Sequence, residues 1–356
     1  MPTRIKASPI FYLLLGTASF VIVVAGLQAA SSILNAFFLS LLIVINVTPL
    51  LQWLIRKGVP PKVALLLTIL GVIVTGIAFL SFLGISIGQL LHTLPSYEGR
   101  IQQLKESALA FLASKGINTD AILTNETLQP QSLLKGAILF LQRLAEALGS
   151  SLLLLFIVAF MLIESTIFPN KLQKVFNPDA VIISKLTAFT HDIRTYMGIT
   201  AWTGALSAFG DFLVLVFLGV DLAPLWGIMF FLLSFIPGIG FLLAVVPPMI
   251  LALLEHDVSR AFWVFVGCSV IDNIVDKGIK PRFMQEGLDI SILMIILSLV
   301  FWSWVLGPIG AILSVPLTMM VKKVILESYE ETQFLAQLMS SRTEEGDRPV
   351  EAMGED

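Results

Sequence analysis

Few residues of this 356-residue chain combine reactive chemistry with an apolar setting, and Asp211 is the acid placed most deeply among them. It lies in the apolar run Thr195 to Val220. A carboxylate charge at bilayer depth costs several kcal/mol, so the group must face other helices or a watery cavity. Two roles are open to it: a proton or cation site, or a neutral or Lys/Arg-paired acid that holds helices together. A second source of chemistry is the backbone itself. Two apolar segments, Asp221 to Leu254 and Ile290 to Leu326, are each broken by a four-residue turn of nearly the same composition, Pro237-Gly238-Ile239-Gly240 and Gly307-Pro308-Ile309-Gly310. Proline removes a donor and glycine lets the chain reverse, which leaves N–H and C=O groups needing partners at depth. A hydroxyl-rich solute, water, an ion or a neighbouring helix could supply them. Asn46, just before Thr48-Pro49, is a further polar group at depth.

Other chemistries have little to stand on. There is no Gly-x-x-x-x-Gly-Lys-Ser/Thr loop, so transport would be passive or ion-coupled. No HExxH occurs, and His92, His191 and His256 fall near interfaces as solvated residues. The chain therefore does not read as an enzyme. Cys268 stands alone, which excludes an intrachain disulfide or cysteine-built metal site and leaves a small packing residue. Glu164, Asp221, Asp272 and Asp276 lie near span ends, where hydration or snorkelling accounts for them. Trp226, Trp263, Trp302 and Trp304 read as interfacial or packing residues. Net charge is −3, with no sign of nucleic-acid binding.

The elements that must position these groups follow from composition. With 56% hydrophobic and 13% charged residues and a mean hydropathy of +0.91, the chain is a polytopic membrane protein. Long uninterrupted apolar runs make its spans helical. The predicted fold is all-α, with two opposed re-entrant helical hairpins and a small helical ectodomain. Each hairpin arm has roughly 14 to 17 residues, about 21 to 26 Å at 1.5 Å per residue, short of the ~30 Å hydrocarbon core.

Residues 1–91 hold helices 1 to 3 (about 10–27, read as retained, 33–55 and 63–91), and 92–148 form the ectodomain. Residues 149–220 hold helices 4 and 5 (about 149–168 and 195–220), separated by a cytoplasmic amphipathic segment with Lys171, Lys174, Lys185 and Arg194. The core at 221–326 includes helix 7, about 261–275, and 327–356 form a polar cytoplasmic tail. Of the 22 Lys and Arg, only Arg260 falls on a short outer loop and five on the ectodomain; the remaining sixteen lie on inner segments. This bias predicts cytoplasmic N- and C-termini and hairpins entering from opposite faces. Gly84 and Gly88 on helix 3 form a small-xxx-small pair suited to close helix contact. Asn125-Glu126-Thr127 matches a glycosylation sequon by chance.

Several motifs together carry a family resemblance. Phe235-Ile236-Pro237-Gly238-Ile239-Gly240 with Val245-Val246-Pro247-Pro248, Lys280-Pro281-Arg282-Phe283-Met284 before Gly287-Leu288-Asp289, and Leu297-Ser298-Leu299 through Trp302-Ser303-Trp304 to Leu313-Ser314-Val315-Pro316 resemble blocks of the autoinducer-2 exporter family, the PerM-like permeases. The likeness extends to Asn46-Val47-Thr48-Pro49-Leu50 and Tyr196. It departs at Lys280, where the family usually has Glu, at Lys277, where Asn is expected, and at Gly238, which replaces a frequent Asn.

The resemblance implies a multi-pass bacterial or archaeal inner-membrane protein, a homo-oligomer, exporting a small polar solute such as autoinducer-2 or exchanging sodium or lithium for protons. The leading expectation is a secondary or facilitative exporter of a small polar metabolite. A monovalent-cation/proton antiporter and a non-transporting membrane scaffold are the alternatives. No cofactor is expected, with H+ or Na+ as candidate coupling ions. The candidate binding residues are Asn46, Asp211, Pro237, Gly238, Gly240, Gly307, Pro308 and Gly310.

Overall fold

The computed structural model describes residues 9–93, 151–168, 181–255, 257–284, 290–328 and 332–340, with isolated positions at 97, 99–100, 102–103, 106–107, 114, 139, 171 and 174. All regular structure among them is helical. This is the outcome lipid imposes, since a helix satisfies its own backbone polar groups. The ectodomain expected at 92–148, with its sequon, lies almost wholly outside the described residues.

In chain order the helices are α1 (Pro9–Ala29), α2 (Ser31–Arg56), α3 (Pro61–Thr93), α4 (Ser151–Ser165), α5 (Val181–Phe217), α6 (Ala223–Leu233), α7 (Gly240–Glu255) and α8 (Val258–Asp272). Helix α8 continues through a π-helical stretch, Asn273–Ile279, into a last turn at Lys280–Met284. Helices α9 (Ile292–Leu306), α10 (Pro308–Met320) and α11 (Gln333–Leu338) complete the set, and α10 runs on into a π-helical turn at Val321–Ile325. By length and composition α2, α3, α5, α8 with its extension and α10 with its extension suffice to cross a membrane. The outward stripes of these and of the shorter helices are apolar at helical spacing, as with Phe209, Leu213 and Phe217 on α5 or Ile292, Ile296 and Val300 on α9, all exposed as lipid-facing side chains are.

Helix α5 is the axis of the assembly. At 37 residues it is roughly 55 Å long, well beyond the hydrocarbon thickness. It begins at Val181 without interruption, so Lys185 and Arg194, expected on a separate surface segment, belong to its first turns. Glycines bring neighbours onto it. A Cβ at Gly210 would lie 2.7 Å from Ile271 Cγ2, and one at Gly267 would lie 2.7 Å from Val214 Cγ1. Such close approach gives the dispersion contact that drives helix association in lipid.

The two hairpins, α6–α7 and α9–α10, are attached at opposite ends of α5. At its C-terminal end the Asp221 N–H donates to Glu255 Oε2 at 3.1 Å, closing the base of α6–α7. Toward its N-terminal end Asp192 pairs with Lys323 just beyond α10, and Lys185 Nζ donates to the Glu327 carbonyl. The turns differ from the four-residue breaks expected. The first spans 234–239, whereas the second is Gly307 alone, with Pro308 already the first residue of α10. Proline suits that position, where its missing N–H has no intrahelical partner to lose. Beyond α10 the described residues include α11, and the Ser291 N–H donates to the Met339 carbonyl at 2.9 Å.

Candidate functional site

The tips of the two hairpins share a local construction. A Cβ at Gly240 would overlap the carbonyl of Leu233, and one at Gly310 would overlap the carbonyl of Trp302, so in each hairpin a buried glycine early in the second arm lies directly on the backbone of the first. Gly238 (φ +84) and Gly307 (φ +73) take the left-handed region that L side chains avoid, and among the described residues both have open space where a Cβ would project. Trp302 Nε1 donates to Thr318 Oγ1 at 3.0 Å inside the second hairpin, so this tryptophan is a buried clamp between its arms. The two hairpins also meet: Leu299 and Ala311 join the apolar cluster built around Leu233, Ile236 and Ala244.

The backbone groups released at the second tip are partly taken. Asn35 Nδ2 donates to the Leu306 carbonyl at 3.0 Å, and Gln28 Nε2 to the Trp304 carbonyl at 3.3 Å. Neither residue stood out in the sequence, because an orphan carbonyl and its capping amide some 270 positions apart have no local signature. Asn46 is turned inward to its own helix, donating to the Leu42 carbonyl at 2.8 Å.

Asp211 stands apart from the tips, in the seam between α5 and α8. Its side chain is fully buried, and neither carboxyl oxygen has a hydrogen-bond partner of acceptable geometry among the described residues. Cys268, read from the sequence as a packing residue without a partner, lies beside it, and the Asp272 carboxylate is close enough to act on it through space. On α5 the buried residues Thr200, Thr203, Ser207 and Asp211 recur at helical spacing and form a polar stripe along one side. Gly204, two turns from Asp211, touches Ser234 in the first hairpin turn, so the stripe passes the first tip. The spacing 200, 203, 207, 211 was present in the sequence and would have found this stripe.

The remaining acids behave as span-end residues. Asp276 is exposed and pairs with Lys280 at 3.1 Å, and Glu164 is exposed and pairs with Lys171 at 2.8 Å. His92 and His191 are exposed, and His256 lies outside the described residues. At the base of the first hairpin a cavity of about 260 Å³ is lined by Gln89, Thr93, Tyr97, Asp221 and Leu222 among others, with Tyr97 Oη donating to Glu255 Oε1 at 2.9 Å. No group of three metal-ligating side chains occurs among the described residues.

Known proteins match this sequence along nearly its whole length. Residues 14–330 match the AI-2E family transporter description. The chain is 30% identical over 325 residues to "AI-2 transport protein TqsA" of Escherichia coli, covering 91% of this chain and 94% of that protein. It is 29% identical over 315 residues to "Putative transport protein YhhT" of the same species, covering 87% and 89%. It is 31% identical over 336 residues to a "Putative transport protein" of Haemophilus influenzae, covering 92% and 95%. With its all-helical multi-pass fold and paired broken-helix hairpins, the chain belongs to the AI-2E family of membrane transporters.

Proposed function

We propose that the chain is a secondary transporter of the inner membrane that exports a small polar metabolite of the autoinducer-2 kind, with the two hairpin tips as its binding site. The observation that carries this reading is the pair of hairpins attached to opposite ends of α5, each closed by a glycine lying on a carbonyl of the opposing arm. Hairpins of this kind, entering from opposite faces, belong to inverted repeats that can expose one central site to either side in turn. The open space at Gly238 and Gly307 leaves backbone available to a hydroxyl-rich solute. The relative from Escherichia coli named as an AI-2 transport protein supports this choice of solute.

A sodium(lithium)/proton antiporter is the second reading, favoured by the buried and unpartnered Asp211. Efflux from proteoliposomes separates the two: labelled autoinducer-2 and Na+ or Li+ are compared under an imposed pH gradient. Autoinducer-2 efflux above protein-free vesicles is the expected result. Cation-for-proton exchange without autoinducer-2 movement would replace the first reading by the second. Spin labels at 239 and 304, both exposed positions, should lie well within the bilayer thickness of about 30 Å of each other. A separation approaching that thickness would reject the shared site.

A further inference from the structure

We propose that the seam between α5 and α8 is a proton path joining Asp211 to one face of the membrane only, the face that carries Lys277, Lys280 and Arg282, by way of Asp272 and Asp276. The register of the two helices places these groups. Gly210 lies against Ile271 and Gly267 against Val214, so a step of four residues forward on α5 is a step of four back on α8, and the helices run antiparallel. Asp272 then falls within a turn of Asp211, and Asp276 lies level with the span from Thr203 to Ser207.

One wall of the seam is the polar stripe of α5. Its members are at most 6% exposed, and Thr200 Oγ1, like both Asp211 oxygens, is a buried polar atom without a partner among the described residues. The other wall opens along its length: Cys268 is fully buried, Asp272 half-buried and Asp276 exposed. The opposite end is closed by Leu215 and Val264, both fully buried. Between Asp272 and Asp276 the helix widens into the π-helical stretch Asn273–Ile279, a departure from α geometry that frees backbone groups and is frequent at functional sites.

The chemistry is a single proton transfer. The Asp211 carboxyl releases its proton to the Asp272 carboxylate through the Ser207 hydroxyl, which accepts one proton as it donates another; Asp272 passes it to Asp276 and water. No bond other than O–H forms or breaks. The charged and titratable groups around the seam are few. Helix α5 itself contributes Tyr196, within reach of the Asp276 charge, helix α8 and its extension contribute Cys268, Asp272, Asp276, Lys277, Lys280 and Arg282, and α6 contributes none. Helices α2 and α10 meet α5 toward its Asp192–Arg194 end, where the extension of α10 brings Lys322 and Lys323. The use of this proton to drive export rests on the transport reading above, whereas the path itself does not.

The test follows the buried carboxyl directly, by infrared difference spectroscopy on the full-length protein in lipid. The buried carboxylic C=O band is assigned to Asp211 by its loss in Asp211→Asn, and its hydrogen–deuterium exchange is timed after a switch to D2O. Asp272→Asn should slow that exchange at least tenfold and Ser207→Ala severalfold, with Asp272→Glu restoring much of the rate. Glu255→Gln, at the opposite end of the molecule, should leave it unchanged. If Asp272→Asn does not fold, the Ser207→Ala result stands in its place. Exchange unaffected by both seam variants, or slowed by Glu255→Gln instead, would overturn the path. Absence of transport by the wild-type protein would reject the transport reading and leave this result intact.

Discussion

Arg194 Nε donates to the main-chain carbonyl of Ile45 at 3.2 Å. That carbonyl is the one Pro49, four residues further along α2, cannot satisfy, because proline has no N–H. A charged side chain on α5 thus repairs a backbone break in α2 and fastens the two helices together. Removing a charge-assisted bond to a half-buried acceptor should cost about 1.5 to 3 kcal/mol. Arg194→Leu should therefore lower the melting temperature in detergent, and Pro49→Ala, which restores the N–H, should remove most of that penalty. Strictly additive effects in the double variant would refute the repair.

The glycine-on-carbonyl contacts predict an order of damage. Gly240→Ala and Gly310→Ala place a methyl group into a main-chain oxygen, whereas Gly238→Ala meets open space and bears only the left-handed conformation, about 1 to 2 kcal/mol. The yield of folded protein should fall more for the first two than for the third. Equal yields across the three would mean that the tips are loosely packed.

Self-association is expected through α3, where Gly84 and Gly88 are exposed with nothing over them among the described residues. Replacing both by leucine spoils close backbone approach and should shift native mass spectra toward smaller assemblies. An unchanged mass would exclude this surface as the contact.

Orientation is checked by labelling single cysteines in a Cys268→Ala background. Position 57, after α2, should react from the cytoplasm, and position 259, at the start of α8, from outside. Labelling of both from one side would contradict the bias in basic residues.

An alkaline titration reports on the base of the first hairpin. Burial first, and then the neighbouring carboxylates of Glu255 and Asp221, raise the Tyr97 phenol above its ordinary value of 10.0. The folded protein keeps a proton that the unfolded chain sheds, so this contribution is complete below about pH 10 and is lost as pH rises beyond it. Tyr97→Phe should lower stability near neutral pH by about 1 kcal/mol and flatten the alkaline decline. An identical alkaline profile in the variant would remove Tyr97 from that role.

The local features of this protein were legible in its sequence. Apolar run lengths announced a helical membrane protein, and Pro237 to Gly240 and Gly307 to Gly310 marked the two reversals, because hydropathy and backbone permissiveness belong to the residues themselves. The motifs in the hairpins likewise pointed to the family. Asp211 could be singled out for the same reason, as a charge in an apolar run.

Tertiary structure alone decided which groups meet. Asn35 on the Leu306 carbonyl, Arg194 on that of Ile45 and Cys268 beside Asp211 each join positions tens to hundreds of residues apart. The extent of α5 was hidden as well. Its first turns carry Lys185 and Arg194, which read as a surface segment until carbonyl contacts with α2 and with the residues following α10, and the Asp192–Lys323 ion pair between them, show those turns packed against other helices. A chain shows which polar groups need partners at bilayer depth; only the packing of helices, set by where glycine allows close approach, determines which partners they find.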